Sequence, residues 1–154
     1  MARRGVGTAG HGPRRGLARW RPSHVGSPSR EETLHLVERF NYAPAVKVGN
    51  LLYAAGQVGR DANMNVIDSS LEDHFVAVWD HLGAVLRAGG SDFEHIIEIT
   101  TFPVGLQDHL ELFLEVRTPF VPKVDVPHAW SAIGIPEFTF PGKLVDLKSI
   151  ADIP

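Results

Sequence analysis

Cysteine is absent from the 154 residues, and Asp and Glu are absent from the first thirty. Without cysteine the chain cannot build a disulfide scaffold, a thiolate nucleophile or a cysteine-based zinc site. No apolar run approaches the roughly 20 residues of a membrane-spanning helix, and no apolar segment typical of a secretory signal is present. We therefore expect a cytoplasmic protein with no membrane partner.

The charges divide the chain into two unlike parts. Residues 1–30 carry seven Arg, a net charge of +7, whereas the other eight basic and eighteen acidic residues give the rest −10. The first part is rich in Gly and Pro and has too little apolar surface to offset its ordering entropy. We predict a disordered basic tail or extension over residues 1–33 and one folded domain over residues 34–154. Contact with nucleic acid or an acidic surface and targeting stay open as roles for the tail, whereas the acidic domain itself makes nucleic acid an unexpected partner.

Turn and periodicity signals predict an α+β domain. Gly49-Asn50 is typical of a two-residue hairpin turn, Ser69 or Ser70 can cap a helix, and Gly89-Gly90 can end it. Apolar residues then repeat at helical or strand spacing in each segment. The predicted strands are 45–48, 51–55, 96–102, 130–135 and 143–151, and the predicted helices run from Leu71 to Gly89 and over about 107–116. This order favours a single mixed sheet with two helices packed on one face.

The order of several short motifs resembles the Rid family, the YjgF-like reactive-intermediate deaminases, over roughly residues 40–152. Ala55-Gly56-Gln57 stands where that family has Ser-Gly-Gln, and Pro127-His128-Ala129-Trp130-Ser131 falls on its Pro-Ala-Arg-Ser region. Leu144-Val145-Asp146-Leu147 falls on its closing Leu-Val-Glu-Ile. The resemblance implies a chorismate-mutase-like fold, a homotrimer with small-molecule clefts between subunits, and hydrolysis of enamines and imines without a metal or organic cofactor.

The same resemblance marks the expected substrate-binding residues, namely Tyr42, Gly56, Phe113, Trp130 and Lys148. Three of them depart from the family, because Trp130 replaces the carboxylate-binding Arg, Phe113 replaces an Asn and Lys148 replaces a Glu. One interpretation is that the aromatic residues fill a disused cleft; the other is a cleft retuned for an apolar, aromatic or cationic ligand. Lys148 is either a solvated strand residue, part of an anion site, or a partner of Asp146 on the same strand face.

Histidines are frequent but do not form a metal motif. His74 and His81 are seven residues apart on the first predicted helix, which is too far for shared ligation. His128 is the one candidate for a general base, because imidazole titrates near neutrality. An exposed loop histidine is the alternative, and the catalytic residues otherwise stay unknown.

Two functions remain open from the sequence. The first is a divergent hydrolase of imine, enamine or related C–N substrates with altered specificity. The alternative is a non-catalytic trimeric protein that binds a small ligand or another partner.

Overall fold

The structure, a computed structural model, describes residues 41–61 and 65–154 together with the two-residue strand β1 (Ala18–Arg19). The predicted tail over residues 1–33 otherwise lies outside the described residues, so its disorder stays a prediction. Within the described part, no helix is long and apolar enough to cross a membrane.

Six strands form one mixed sheet in the order β1-β2-β3-β6-β4-β5. The remaining strands are β2 (Ala45–Val48), β3 (Leu51–Val58), β4 (Ile96–Pro103), β5 (Ala129–Ala132) and β6 (Val145–Asp152). All neighbouring pairs are antiparallel except β4 and β5, which are parallel. The mixed sheet expected from the sequence is confirmed.

Two helices cover one face of the sheet. Helix α1 (Leu71–Ala88) begins at Ser70, whose side chain accepts a hydrogen bond from the backbone N–H of Asp73, and helix α2 is Leu106–Arg117. A short 3₁₀ turn (Phe93–His95) leads into β4. The predicted α+β class with both helices on one face is therefore confirmed.

Three predicted strands have boundaries that differ from the observed ones by two or more residues. β3 continues to Val58 rather than stopping at 55, because a bulge between Ala54 and Gln57 lets the strand pass Gly56 and resume its pairing with β6. β5 occupies 129–132 rather than 130–135, since its length is set by parallel pairing with Glu98 to Thr101 of β4. β6 begins at Val145 rather than at 143.

An aromatic cluster forms the centre of the helix-covered face. Trp79 is fully buried and its ring lies 5.8 Å from that of Phe113 and 6.0 Å from that of Phe120. Phe75 packs edge-on against Phe113 at 5.4 Å. β6 contributes alternate residues to this core, and the residues between them face the opposite side of the sheet.

Candidate functional site

Among the described residues, no helix packs on the face of the sheet opposite α1 and α2. Cross-strand pairing places Val46 beside Tyr53 and Tyr53 beside Ile150. Tyr53 is 37% exposed, so a large aromatic side chain faces outward from the middle of a sheet. An apolar row of this kind on an open face is typical of a surface that another subunit covers.

Asp146 and Gly56 meet on this open face. Ala55 and Gly56 lie in the bulge of β3 and have no Cα partner on β6, whereas Gln57 pairs with Leu147 and Val58 with Asp146. A Cβ atom built on Gly56 would overlap the Asp146 carboxylate. Glycine is therefore required at position 56 for the carboxylate to occupy its observed place.

The Asp146 carboxylate is half-buried and only partly compensated. Its Oδ1 atom is inaccessible and has no hydrogen-bond partner among the described residues. Burial raises the pKa of Asp146 to about 6, and the positive charge of Lys143 opposes that rise only in part. A carboxyl group that titrates near neutrality beside exposed backbone is suited to taking up and releasing a proton.

Two lysines lie near this carboxylate in sequence, with different roles. Lys143 stacks its ammonium group 4.7 Å from the centre of the Phe140 ring, and burial lowers the pKa of Lys143. Lys148 shares the open face with Asp146, pairs with Thr100 across the strands and is exposed. Within residues 41–61 and 65–154, no salt bridge joins Lys148 to Asp146.

Trp130 belongs to the other face of the sheet. It pairs with Ile99 in the parallel ladder, and its indole N–H donates a hydrogen bond of 3.2 Å to the hydroxyl of buried Thr101. The Arg117 guanidinium from the last turn of α2 lies 5.0 Å above the indole ring. An arginine from the helix thus stacks on the indole ring of Trp130, which stands where the Rid family has its carboxylate-binding arginine.

His128 is held by the same guanidinium. Arg117 donates from Nη2 to Nε2 of His128 over 2.9 Å, which leaves that ring nitrogen acting as an acceptor. Burial, followed by the charge of Arg117, lowers the pKa of His128. The imidazole is therefore neutral at pH 7, and its basic nitrogen is engaged in the single chain.

A small apolar cleft adjoins Trp130 beneath α2. Its enclosed volume is only about 10 Å³, and its walls are almost entirely apolar, contributed by Phe75, Leu110, Phe113, Trp130, Ala132 and Val145 among others. Phe113 is only 5% exposed and is chiefly a core residue that also closes the inner end of this cleft.

The remaining predicted residues lie apart from both regions. Tyr42 is half-buried in the segment before β2. His74 is buried, with Nδ1 2.9 Å from the carbonyl oxygen of Ile67 and Nε2 accepting from the backbone N–H of Leu144. His81 lies 2.9 Å from the carbonyl oxygen of Val58. These two histidines therefore hold backbone segments in place through hydrogen bonds. In the described part of the chain, no three His, Asp or Glu side chains form a group that could hold a metal ion.

Within one chain, the predicted site residues form two groups. Gly56 and Lys148 lie on the open face with Asp146, whereas Phe113 and Trp130 lie on the covered face with Arg117 and His128. The sequence indicated Asp146 only as a partner for Lys148, and it gave no role to Arg117. Two features of the sequence point to these residues. Asp146 is an acid at an outward position of the last strand, and Arg117 lies four residues after Phe113 on the same helix face.

Together, the single mixed sheet, the two helices on one face and the carboxylate beside a glycine bulge define a small α+β chain with a candidate ligand site. The family model described as Endoribonuclease L-PSP matches residues 34–153. The chain belongs to this family, which is the Rid (YjgF-like) family that the sequence motifs indicated.

Two curated relatives illustrate the range of the family. The RutC family protein YjgH of Escherichia coli (strain K12) is 28% identical over 127 residues, covering 82% of this chain and 92% of that protein. The 2-iminobutanoate/2-iminopropanoate deaminase of Mus musculus is 24% identical over 111 residues, covering 71% and 79%.

Solved structures agree on the fold. Protein YJGH superimposes with a TM-score of 0.69 at 28% identity, covering 77% of this chain and 88% of that one. RidA from the Antarctic bacterium Psychrobacter sp. PAMC 21119 superimposes with a TM-score of 0.66 at 22% identity, covering 88% and 96%.

Proposed function

We propose that this protein hydrolyses imines, enamines or related C–N compounds, with Asp146 as the group that moves the protons. The observation that carries the proposal is the half-buried Asp146 carboxylate, which lies against Gly56 with a pKa of about 6 and has one oxygen without a hydrogen-bond partner among the described residues. The membership of the family supports it, since one relative is a 2-iminobutanoate/2-iminopropanoate deaminase.

The chemistry requires one group that first accepts a proton and then returns it. As the oxygen of water bonds to the imine carbon, ionised Asp146 accepts a proton from that water and the C=N electron pair moves to nitrogen. Asp146 then gives the proton to the nitrogen, which forms a carbinolamine. Asp146 next accepts the proton of the carbinolamine hydroxyl and passes it to the nitrogen as the C=O bond forms and the C–N bond breaks, so the products are a carbonyl compound and ammonia. A pKa near the working pH serves both halves of this exchange.

A homotrimer would unite the two groups of site residues. Asp146 and Gly56 face away from the helices, whereas Trp130 and Arg117 lie on the helix side, so a single chain cannot present both to one small ligand. We propose that the open face of each subunit packs near the β5 and α2 edge of the next. The outward row of Val46, Tyr53 and Ile150 supplies apolar surface for such an interface.

The hydrolase is tested with imines generated in solution by an amino-acid oxidase. Purified protein should speed the release of ammonia from 2-aminoacrylate, 2-iminobutyrate or an aromatic imine. Asp146→Asn should lower kcat/KM by about 10²- to 10⁴-fold, and the wild-type rate should fall as the pH drops below about 6, since only the ionised carboxylate accepts a proton.

The matched control is Asp152→Asn, which makes the same substitution on the same strand face, where the carboxylate accepts a hydrogen bond from Asn50. This variant should retain activity. No acceleration of any of the three imines by the wild-type protein would contradict the hydrolase, and the alternative, a trimer that binds a small ligand without catalysis, would then stand.

Cleavage of RNA, the activity that the family description names, is opposed by charge. Residues 31–154 carry a net charge of −10, which repels phosphate.

A further inference from the structure

His74 is a buried histidine of α1 whose two ring nitrogens both contact the backbone. It is 1% exposed, and its Nδ1 atom lies 2.9 Å from the carbonyl oxygen of Ile67. Its Nε2 atom accepts a hydrogen bond of 3.3 Å from the backbone N–H of Leu144. Because a carbonyl oxygen can only accept, Nδ1 carries the hydrogen and Nε2 is the accepting nitrogen. One imidazole is thus a donor and an acceptor at once, and it joins a loop to the segment that enters β6.

Gly59 makes room for this ring directly after β3. A Cβ atom built on Gly59 would lie 2.7 Å from the backbone oxygen of His74 and 2.8 Å from its Nδ1 atom, which is closer than a Cβ atom can approach. The φ angle of Gly59 is not positive, so the close approach of the ring is what requires glycine here. The carbonyl oxygen of Gly59 also accepts a hydrogen bond of 3.2 Å from the backbone N–H of Ile67. The end of β3, the Ile67 loop and His74 are therefore packed as one unit.

Leu144, two residues before Asp146, is held at both of its backbone groups. Its N–H donates to His74, and its carbonyl oxygen accepts a hydrogen bond of 2.9 Å from the backbone N–H of Val104. The strand β6 begins one residue later, so the side chain of His74 supplies the acceptor that strand pairing does not. Lys143 directly precedes Leu144, and its charge acts on the Asp146 carboxylate. The position of Leu144 therefore fixes the backbone that carries both the carboxylate and this cation.

We infer that His74 is a positioning residue of the proposed reaction, which holds Leu144 so that the Asp146 carboxylate stays against Gly56. His74 is buried in α1 on the covered side of the sheet, so it acts through Leu144 and not on the substrate. The inference rests on the proposed function, because it assigns a role in that reaction. Residues that orient metal ligands through hydrogen bonds contribute about 10- to 100-fold to activity, and we expect a similar factor here.

Two amide substitutions separate the two hydrogen bonds of His74. The amide of Asn reaches about as far as Nδ1, so His74→Asn can keep the bond to Ile67 but leaves the N–H of Leu144 without its acceptor. The amide of Gln reaches about as far as Nε2, and in His74→Gln its oxygen can accept from Leu144. His74→Asn should lower kcat for imine hydrolysis by about 10- to 100-fold with little change in KM. His74→Gln should keep most of kcat.

A second measurement needs no activity. Carbon-13 NMR of the full chain follows the titration of the Asp146 carboxyl carbon, whose signal is assigned through Asp146→Asn. The pKa of Asp146 should be about 6 in the wild-type protein. In His74→Asn the released segment admits water to the carboxylate, so the pKa of Asp146 should fall toward the usual aspartate value of 3.8. In His74→Gln the pKa of Asp146 should stay near 6.

The matched control is His95→Gln. It removes a histidine whose Nε2 atom lies 3.3 Å from Glu94 in the 3₁₀ turn, near the far end of β6, and it should change neither kcat nor the pKa of Asp146. Thermal melting reports whether each variant is folded. If His74→Asn does not fold, Gly59→Ala carries the test, because its methyl group displaces the His74 ring while both ring nitrogens remain. The same loss of kcat and the same fall in the pKa of Asp146 are then expected.

Two results would overturn the inference. One is an unchanged pKa of Asp146 in a folded variant that lacks the Leu144 bond, and the other is equal losses in His74→Asn and His74→Gln, which would show that His74 only fills space. The outcome is separable from the proposed function. If the wild-type protein hydrolyses no imine, the hydrolase is refuted, but a pKa of Asp146 that falls in His74→Asn and not in His74→Gln would still show that His74 positions the carboxylate. Hydrolysis that is unchanged in His74→Asn would leave the hydrolase standing and refute the inference.

Discussion

The two faces of the sheet differ in how completely their side chains are satisfied. On the covered face, Trp79 and Phe75 are buried in aromatic contacts that fix the helices. On the open face, Asp146 is half-buried and one of its oxygens has no hydrogen-bond partner in the described part of the chain, and Tyr53 is exposed. Alternate residues of β6 serve the two faces, so one strand contributes to both the stable core and the candidate chemistry. The unsatisfied groups are where a ligand or subunit is expected.

The largest effect is expected on the covered face. Trp79→Ala should lower the free energy of unfolding by about 3–5 kcal/mol, because it leaves a cavity among Phe93, Phe113 and Phe120. Denaturant unfolding measures the loss. Trp79→Phe is the control, since it keeps an aromatic ring and removes an indole N–H that has no partner. A small change in the free energy of unfolding of Trp79→Ala would show that packing on the covered face does not supply most of the stability.

The next effect separates activity from stability. Gly56→Ala should reduce imine hydrolysis by about 10²-fold, since a methyl group at position 56 displaces the Asp146 carboxylate and small misplacements of catalytic groups are costly. Steady-state kinetics measures the change. Gly49→Ala serves as the comparison, because its Cβ would meet nothing within 4 Å and only its left-handed backbone is strained. Unchanged kcat and KM in Gly56→Ala would contradict a role of Asp146 in the reaction.

Asp146→Asn should stabilise the fold while removing the activity. The folded pKa of about 6 lies above the usual aspartate value of 3.8, so the folded state holds the proton more tightly and its stability falls as the pH rises from 3.8 to 6. Above pH 6 the cost is on the order of 1–3 kcal/mol, and below about pH 4 it disappears. Unfolding of wild-type and variant protein at pH 4.5 and 7.5, at one protein concentration, measures it. A variant that is less stable at pH 7.5 would contradict the half-buried, only partly compensated carboxylate.

The smallest effect concerns the apolar row of the open face. Tyr53→Ser should raise the dissociation constant of the trimer on the order of tenfold, because it removes apolar contact area from the proposed interface. Sedimentation at several concentrations measures this change. Val126→Ser is a control, since Val126 is 83% exposed and lies outside the sheet. A monomeric wild-type protein would refute both the interface and the joining of the two site groups.

Local signals predicted most of the fold. The Gly49-Asn50 turn and the helical spacing of Phe75, Trp79 and Leu82 depend on neighbouring residues, and the observed hairpin and α1 follow them. The predicted ends of the strands were less accurate, because the lengths of β3 and β5 are set by pairing with strands distant in the sequence.

The candidate site was predicted less well than the fold. Gly56 and Trp130 were identified from family motifs, and Gly56 adjoins the carboxylate that carries the proposed function. The settings of Asp146 and Arg117 depend on contacts with residues distant in the sequence. Asp146 lies against Gly56, and Arg117 lies over the ring of Trp130.

The sequence by itself determined the segments, their alternating faces and the family, since periodicity and turn chemistry act over a few residues at a time. It also determined that position 130 is an indole and not a guanidinium. Only the tertiary structure decided that Asp146 lies half-buried against a glycine bulge and that Arg117 lies over the Trp130 ring. Burial and the pairing of charges depend on which distant strands and helices meet, and no local pattern specifies that.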